Sequence, residues 1–206
     1  AHLYSNGGYT LAAEVVARVS YKPFPAFCRE RLFVPLDMTR THFHDDHRRI
    51  VHERAYSYQK NLMGYQASPL NYANAGATSL FTTASDLVRW LDNFREPKVG
   101  GRAAIDRLQE QAVLVNGKRI DYALGLAVGS YRGLKTVSHG GGDAGYRSFV
   151  LWFPEVELGV AVVSGFASFD SARIAKMVAE VFLGGQMTPE AATPPPSSQP
   201  PRQYIT

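Results

Sequence analysis

Residues 134–163, LKTVSHGGGDAGYRSFVLWFPEVELGVAVV, decide the fold class of this 206-residue chain. Three runs within them are rich in the β-branched and aromatic residues that favour strands: 134–139, 147–153 and 158–163. The connections contain Gly142-Asp143 and Pro154-Glu155, pairs of residues that are typical of tight turns. Because connections this short join antiparallel neighbours, the stretch predicts an antiparallel meander.

The segments on either side extend this layout. Upstream, apolar residues alternate with small ones and predict a fourth, half-buried strand: Tyr122, Leu124, Leu126 and Val128. Downstream, apolar residues at helical spacing predict a helix that packs on the sheet: Ile174, Ala175, Val178 and Phe182. The second half of the chain is therefore predicted to be a four-stranded sheet followed by a helix.

Helical spacing dominates the first half. A helix is predicted to begin just after Asn6 with the apolar residues Ala12, Val15, Val16 and Val19. A second, short helix opened by Pro25 is predicted to carry Phe27, Cys28 and Leu32. Because its neighbours are apolar, Cys28 is interpreted as a buried structural thiol.

Later helices are predicted by a cap and by periodicity. Residues 83–86, TASD, resemble a capping box in front of the apolar face Leu87, Trp90, Leu91 and Phe94. Residues 103–114 are also predicted to be helical, whereas 41–78 show little periodicity and are typical of an irregular segment that lines a cleft. Helices first and an antiparallel meander last predict an α+β fold.

Composition excludes several classes of partner. The net charge is +4, but no run of Lys and Arg concentrates it, so we expect no nucleic-acid surface. No apolar run approaches the ~20 residues of a membrane-spanning helix. Cys28 is the only cysteine, which rules out an intrachain disulfide. Residues 188–206 are rich in Pro and poor in apolar residues, and are predicted to form a disordered tail or linker.

Two motifs carry the chemistry. Tyr4 and Asn6 place a phenol and a carboxamide two residues apart at the start of the first helix. His139 leads into Gly140-Gly141-Gly142, where the absence of side chains lets a ligand approach the backbone of the strand. A phenol and an imidazole can move protons, and exposed backbone N–H groups can stabilise an oxyanion. Each motif is a weak signal alone, but together they are typical of the two halves of an active site.

Four segments, in order, resemble the serine β-lactamase and penicillin-binding-protein family, in particular its class C, esterase and D-aminopeptidase branch. They are 4–9 YSNGGY, 32–41 LFVPLDMTRT, 76–87 GATSLFTTASDL and 139–146 HGGGDAGY. Asp37 stands where a glycine is usual in the second segment, and His139-Gly140 replaces Lys-Thr in the fourth. The resemblance implies a helical lobe beside an antiparallel sheet, with residues 1–187 as the C-terminal part of the catalytic domain.

The resemblance also implies roles for the motif residues. Tyr4 is expected to take or relay the nucleophile's proton, and Asn6 to hold the substrate. His139 occupies the family's cationic position, and the Gly142 N–H is expected to serve as an oxyanion donor, with Gly140 and Gly141 lining the substrate. The implied substrates are small esters, D-amino-acid amides or peptides, and β-lactams, with no cofactor and no metal. The family is often exported, which suggests a periplasmic or secreted protein.

The family's nucleophile lies in a Ser-x-x-Lys motif before Tyr-x-Asn, and only three residues precede Tyr4 here. The nucleophile is therefore expected on a missing N-terminal segment of the same domain, and the 206 residues alone are expected to be inactive. Ser57-Tyr58-Gln59-Lys60 matches the motif in letters only, since it lies in an irregular polar stretch. Residues 42–47, HFHDDH, match a zinc motif in letters, but no strand precedes them.

Two hypotheses follow from these patterns. The first is a serine hydrolase that acts through an acyl-enzyme. The second is a non-catalytic relative that keeps the cleft and binds a ligand or partner without turnover. Taken alone, Tyr4 and Asn6 would fit a tyrosine at a core and an asparagine in an Asn-Gly turn, and the glycine run would fit a flexible strand end. The surrounding segments favour the hydrolase.

Overall fold

A computed structural model describes residues 2–189 of the chain. Its helices are α1 (Asn6–Ser20), α2 (Phe24–Cys28) with a π-helical turn at Arg29–Phe33, α3 (Ala84–Arg95), α4 (Gly101–Leu108) and α5 (Ser171–Leu183). Its strands are β1 (His42–Phe43), β2 (Tyr58–Asn61), β3 (Gly64–Ala67), β4 (Leu80–Phe81), β5 (Ala127–Tyr131), β6 (Leu134–Asp143), β7 (Tyr146–Phe153) and β8 (Leu158–Ser164). The predicted α+β plan is confirmed. No described helix is long and apolar enough to cross a membrane.

The main sheet is an antiparallel meander in the order β5-β6-β7-β8. Alternation along β7 divides its side chains between two faces. Leu151 and Phe153 point to one face, where they pack with Ala175, Ala179 and Leu183 of α5. Trp152 points to the other face, where Val137, Leu91, Phe94 and Ile105 surround it. The sheet is thus covered by α5 on one face and by α3 and α4 on the other.

The prediction of which face of α5 packs on the sheet is wrong, except for Ala175. The residues buried against the sheet are Ser171, Ala175, Ala179 and Leu183, whereas Phe182 is 69% exposed and Val178 is 36% exposed. Ala175, Ala179 and Leu183 form the face that packs on Leu151 and Phe153 of the sheet, and Phe182 is turned away from it.

The stripe predicted for α1 is also largely solvent-exposed. Only Ala13 of this helix is buried, while Val15 is 58% exposed and Val19 is 75% exposed. A recess of about 490 Å³ runs beside Val15 and Val19 and is bordered by Phe27 and Arg31. Two helices therefore present apolar surface that no described part of the chain covers.

Three boundaries differ from the sequence prediction. The first predicted strand begins only at Ala127, because the chain turns at Leu124-Gly125, where Gly125 has a φ of 78°. The β6–β7 turn is Ala144-Gly145 rather than Gly142-Asp143, because Asp143 still pairs with Tyr146. Helix α4 ends at Leu108 and not at Leu114 as predicted. Leu114 instead belongs to a turn at Asn116-Gly117, in which its N–H donates to Lys118 O.

The segment predicted to be irregular contains short strands. β1 pairs with β4, and β2 with β3 forms a hairpin whose tip residues Leu62 and Met63 are fully exposed. Ser57 lies just before this hairpin and is buried. Its hydroxyl donates to Ser68 O at 2.5 Å and accepts from the Gly145 N–H at 3.2 Å, so it joins the hairpin to the β6–β7 turn.

Of the two reciprocal hydrogen bonds of the capping box predicted at the start of α3, one is present. Thr83 Oγ1 accepts from the Asp86 N–H at 3.2 Å, as an N-cap should. The Asp86 carboxylate does not return to the cap; it accepts from Arg40 N–H at 2.9 Å and from Thr41 Oγ1 at 2.8 Å. Asp86 thereby joins α3 to the segment that follows Asp37. Asp37 itself has a φ of 57°, a left-handed conformation that favours glycine and explains why glycine is usual at this position.

His44 is the least satisfied buried group in the described chain. Its ring is stacked on Phe81 at 4.5 Å between centroids, only 1% of the residue is exposed, and neither ring nitrogen has a hydrogen-bond partner. Burial lowers the pKa of His44, and the charges of Arg49 and Arg54 lower it further. The folded protein therefore resists protonation of this imidazole.

We expect His44 to make the protein less stable in mild acid. The unfolded chain takes up the proton at a higher pH than the folded chain, so stability falls as pH drops below about 6.5 towards the folded-state pKa. His44→Leu should flatten the dependence of the urea midpoint on pH between 7 and 5. The matched change His47→Gln, at an exposed ring, should not. An equal slope in parent and His44→Leu would contradict the assignment.

Candidate active site

Helix α1 positions the Tyr4 and Asn6 motif through the residue between them. Ser5 is the N-cap, and its hydroxyl accepts from the Gly8 N–H at 3.1 Å. This cap leaves Tyr4 outside the helix and places Asn6 at its first residue. Both side chains are exposed, Tyr4 at 54%. The role of Ser5 was missed in the sequence, although Ser before an apolar helical run is a recognisable start signal.

Strand β6 holds the second motif at a free edge. Its residues 134–138 pair with β5 on one side, but 139–143 pair only with β7 on the other. Gly140, Gly141 and Gly142 are exposed, while His139 and Asp143 at the ends of the run are half-buried. Within the described chain no strand covers this edge, so its outward backbone groups are accessible to a ligand.

The two motifs meet at this edge. The rings of Tyr4 and His139 are 6.5 Å apart between centroids and inclined by 27°. Tyr122 lies against both, with its ring 6.3 Å from that of Tyr4 and its hydroxyl 3.3 Å from His139 Nε2. Tyr122 and Tyr9 border a recess of about 220 Å³ beside Tyr4. The structure thus brings the rings of Tyr4, Tyr122 and His139 together at the start of the glycine run, with Asn6 two residues after Tyr4 in the chain.

Burial sets the protonation of this cluster. It lowers the pKa of His139, which favours a neutral imidazole near pH 7. Burial also raises the pKa of Tyr122 and of Tyr9, and the neighbouring phenol of Tyr4 raises both further. Tyr122 is therefore a protonated phenol that can donate to His139. The sequence shows no signal for Tyr122 beyond its apolar alternation with Leu124.

A loop between β3 and β4 joins the two halves of the site. Its Asn74 Oδ1 accepts from Thr10 Oγ1 of α1 at 2.9 Å. Its Tyr72 hydroxyl donates to Asp143 Oδ1 at the end of β6, at 2.6 Å. These contacts fix α1 and β6 through one connecting segment. Tyr72 and Asn74 were not recognised in the sequence, where they lie in the stretch without periodicity, and Asp143 was interpreted only as part of a turn and of the fourth family segment.

The two motifs that match only in letters lie elsewhere. Ser57 is 1% exposed and is held by backbone groups on both sides, so it is a structural residue. The zinc-like motif begins in β1, where the rings of His42 and His44 are 5.9 Å apart. Within residues 2–189, no three His, Cys, Asp or Glu side chains are grouped so that they could hold a metal ion.

Comparison with protein families assigns this architecture. The family model described as beta-lactamase matches residues 1–180. The chain therefore belongs to the beta-lactamase family, as its four segments in order indicate.

Similar proteins fall in the penicillin-binding-protein and amidase branch. Penicillin-binding protein 4* of Bacillus subtilis (strain 168) is 26% identical over 165 residues, which cover 72% of this chain and 36% of that protein. The octameric penicillin-binding protein homologue from Pyrococcus abyssi superposes with a TM-score of 0.79 at 23% identity, over 89% of this chain and 43% of that one.

The D-amino acid amidase from Ochrobactrum anthropi SV3, complexed with D-phenylalanine, superposes with a TM-score of 0.72 at 21% identity. The superposition covers 90% of this chain and 59% of the amidase chain. These similarities establish a β-lactamase and transpeptidase-like fold. The chain spans less than two thirds of the length of each of these three relatives.

We expect His139 to titrate at a lower pH in the folded protein than in the denatured one, because burial disfavours its charged form. Its ring signals can be followed by NMR between pH 4 and 8, with His139→Gln assigning the resonance. The same titration in concentrated urea supplies the reference. A folded-state pKa equal to or above the denatured value would show that the imidazole is not desolvated as the structure indicates.

Proposed function

We propose that the complete protein is a serine hydrolase that acts through an acyl-enzyme, with Tyr4, Asn6, His139 and the glycine run in its active site. The observation that carries this proposal is the approach of the Tyr4 and His139 rings, 6.5 Å apart, beside an exposed backbone edge. Acyl transfer needs a proton acceptor and oxyanion donors at one place, and this arrangement can supply both.

Tyr4 takes or relays the proton of the nucleophile. Its phenol is exposed and borders the recess beside α1, so a nucleophile can reach it. Asn6 has both a donor and an acceptor, which suits it to hold the amide or ester of a substrate. His139, kept neutral by burial, accepts from Tyr122 or donates to the substrate rather than acting as a permanent cation.

The Gly142 N–H is assigned as one oxyanion donor, with Gly140 and Gly141 lining the substrate. All three residues are exposed, and β5 does not extend along them. A Cβ at Gly141 would collide with the Ser148 hydroxyl of β7, so the sheet itself favours glycine there, and Gly140 lacks the threonine hydroxyl that would bind a substrate carboxylate. The backbone of the run can therefore approach a substrate closely, as oxyanion stabilisation requires.

The nucleophile is proposed to lie in a Ser-x-x-Lys motif on a segment upstream of Ala1. Among the described residues, Ser5 caps α1 and Ser57 is buried, so neither serine is free to attack at this site. The exposed apolar residues of α1 and α5, together with Val163 on the outer strand β8 at 44%, offer a surface that such a segment would cover. Apolar patches of this kind usually mark contact sites.

The proposed substrates are small esters, D-amino-acid amides or peptides, and β-lactams. The amidase superposition supports the second class, since that structure was determined with D-phenylalanine. A non-catalytic binding protein with the same cleft is the alternative. The coding sequence upstream of Ala1 distinguishes the two, because only a hydrolase of this type requires the serine and lysine.

We expect Tyr4→Phe in the complete protein to lower kcat/KM by about 10²–10⁴-fold, because general acid–base groups typically contribute that much. The ring and its packing remain, so the melting temperature should change little. The control Tyr21→Phe removes a phenol that is 94% exposed, and should leave the rate unchanged. Equal activity of Tyr4→Phe and parent across pH 6–9 would refute the proton-transfer role.

We expect a fluorophosphonate probe to label the complete protein once, at a serine upstream of Ala1. Peptide mapping by mass spectrometry identifies the modified residue. Ser57→Ala should retain the labelling, although its loss of two hydrogen bonds will lower stability by roughly 1–3 kcal/mol. Stoichiometric labelling of Ser57 itself would overturn the assignment of the nucleophile.

A further inference from the structure

Asp143 is a carboxylate at the site for which the proposed mechanism has no use. It lies on the same face of β6 as His139, since residues 139, 141 and 143 alternate to one side, and Gly141 between them has no side chain. With a rise of about 3.3 Å per residue, the two Cα atoms are separated by roughly 13 Å. The residues between them are the glycine run, so no side chain covers this part of the strand.

The carboxylate is not neutralised by the described residues. Asp143 takes part in none of their ion pairs, and its buried Oδ2 has no hydrogen-bond donor among them. The nearest guanidinium along the chain, that of Arg147, donates to the carbonyl oxygens of Ala144 and Tyr146 instead. Arg54 is engaged with the Tyr146 hydroxyl at 3.4 Å. Because Oδ2 is buried and the hydrogen bond to Oδ1 is exposed, a cationic ligand would reach this carboxylate through Oδ1.

Tyr72 fixes the orientation of this carboxylate. Its hydroxyl donates to Oδ1 at 2.6 Å, and this hydrogen bond is the main reason why the pKa of Tyr72 is raised. The phenol therefore remains a donor throughout the neutral range. Tyr72 is 43% exposed, so the Tyr72 oxygen and Asp143 Oδ1 meet at the surface and both retain lone pairs for a further donor.

We propose that Asp143, held by Tyr72, binds the ammonium group of the substrate, so that the preferred substrates are amino acid esters and amides with a free amine. This inference rests on the proposed function, because it places the amine beside the scissile carbonyl. An α-amino group is two bonds from the carbonyl carbon. With the carbonyl oxygen on the Gly142 N–H, such an amine lies next to the side chain of the following residue, Asp143.

The same residues disfavour anionic substrates. Gly140 has no hydroxyl for a substrate carboxylate, and the charge of Asp143 repels one. His139, neutral near pH 7, does not offset that repulsion. Substrates that carry a carboxylate close to the scissile bond, as penicillins and cephalosporins do, are therefore disfavoured at this edge, whereas a cationic group is attracted; among the proposed substrates, the amides and esters with a free amine are preferred over such β-lactams. The choice between amine and carboxylate is thus made by charge rather than by shape.

The test compares D-alanine p-nitroanilide, whose amine carries a positive charge, with its N-acetyl derivative, which is neutral at that nitrogen and larger by an acetyl group. In the complete protein, Asp143→Asn should lower the ratio of their kcat/KM values by about 10–100-fold, since hydrogen bonds to charged groups contribute more than neutral ones. Tyr72→Phe should lower the ratio less. The control Asp92→Asn removes an exposed carboxylate of α3 and should leave the ratio unchanged. The parent's preference should vanish above the pKa of the amine.

A binding measurement separates this inference from the proposed function. The complete protein is titrated with D-alaninamide and with N-acetyl-D-alaninamide, and the amide signals of Gly140–Gly142 are followed by NMR. Shifts that occur with the cation only, and are lost in Asp143→Asn, support the subsite even if no turnover is found. Hydrolysis of both substrates with an unchanged ratio in Asp143→Asn overturns the subsite and leaves the hydrolase intact. Equal or absent shifts with both amides also overturn it.

Discussion

Strand β6 changes its partner along its length, and the site depends on this change. Residues 134–138 pair with β5 and residues 137–143 with β7, so the two pairings overlap only at Val137 and Ser138, where Val137 is buried in the core formed with α3. Residues 139–143 have no partner in β5, and three of these five residues are glycines. Glycine weakens a strand, so the exposed half needs support from elsewhere.

That support comes from both ends of the glycine run. Beyond it, Gly145 packs on the buried Ser57, where an added Cβ would lie 2.9 Å from the Ser57 Cβ, and its N–H donates to the Ser57 hydroxyl. Tyr72 holds Asp143 from the same side. Before it, His139 lies against Tyr122. The free edge is therefore rigid at its ends and open in its middle, which suits a surface that binds extended or planar ligands by backbone hydrogen bonds.

The sequence predicted the elements better than the orientation of their faces. Strands β6, β7 and β8 have strong local signals, because their β-branched residues and short turns leave few alternatives. The helical stripes of α1 and α5 were assigned to the core because they are apolar, yet Val19 and Phe182 are exposed. Periodicity identifies an apolar face but not the partner that covers it. Local motifs were enough to single out Tyr4 and His139, whose rings the structure places 6.5 Å apart, whereas Tyr122, Tyr72 and Asp143 reach this edge only through long-range contacts that no local pattern records.

The charges at the edge constrain how Tyr4 can act. A phenol with an ordinary pKa near ~10 accepts a proton at neutral pH only if a cation stabilises its anionic form. His139 is kept neutral by burial, and the nearest phenols, Tyr9 and Tyr122, stay protonated because their own pKa values are raised. Asp143 adds negative charge. On the proposed mechanism, the described residues thus supply the proton acceptor and the backbone donors but not the activating cation. A Ser-x-x-Lys motif, with the lysine three residues after the serine, would supply the attacking oxygen and that cation together, so the proposed mechanism assigns both to one segment.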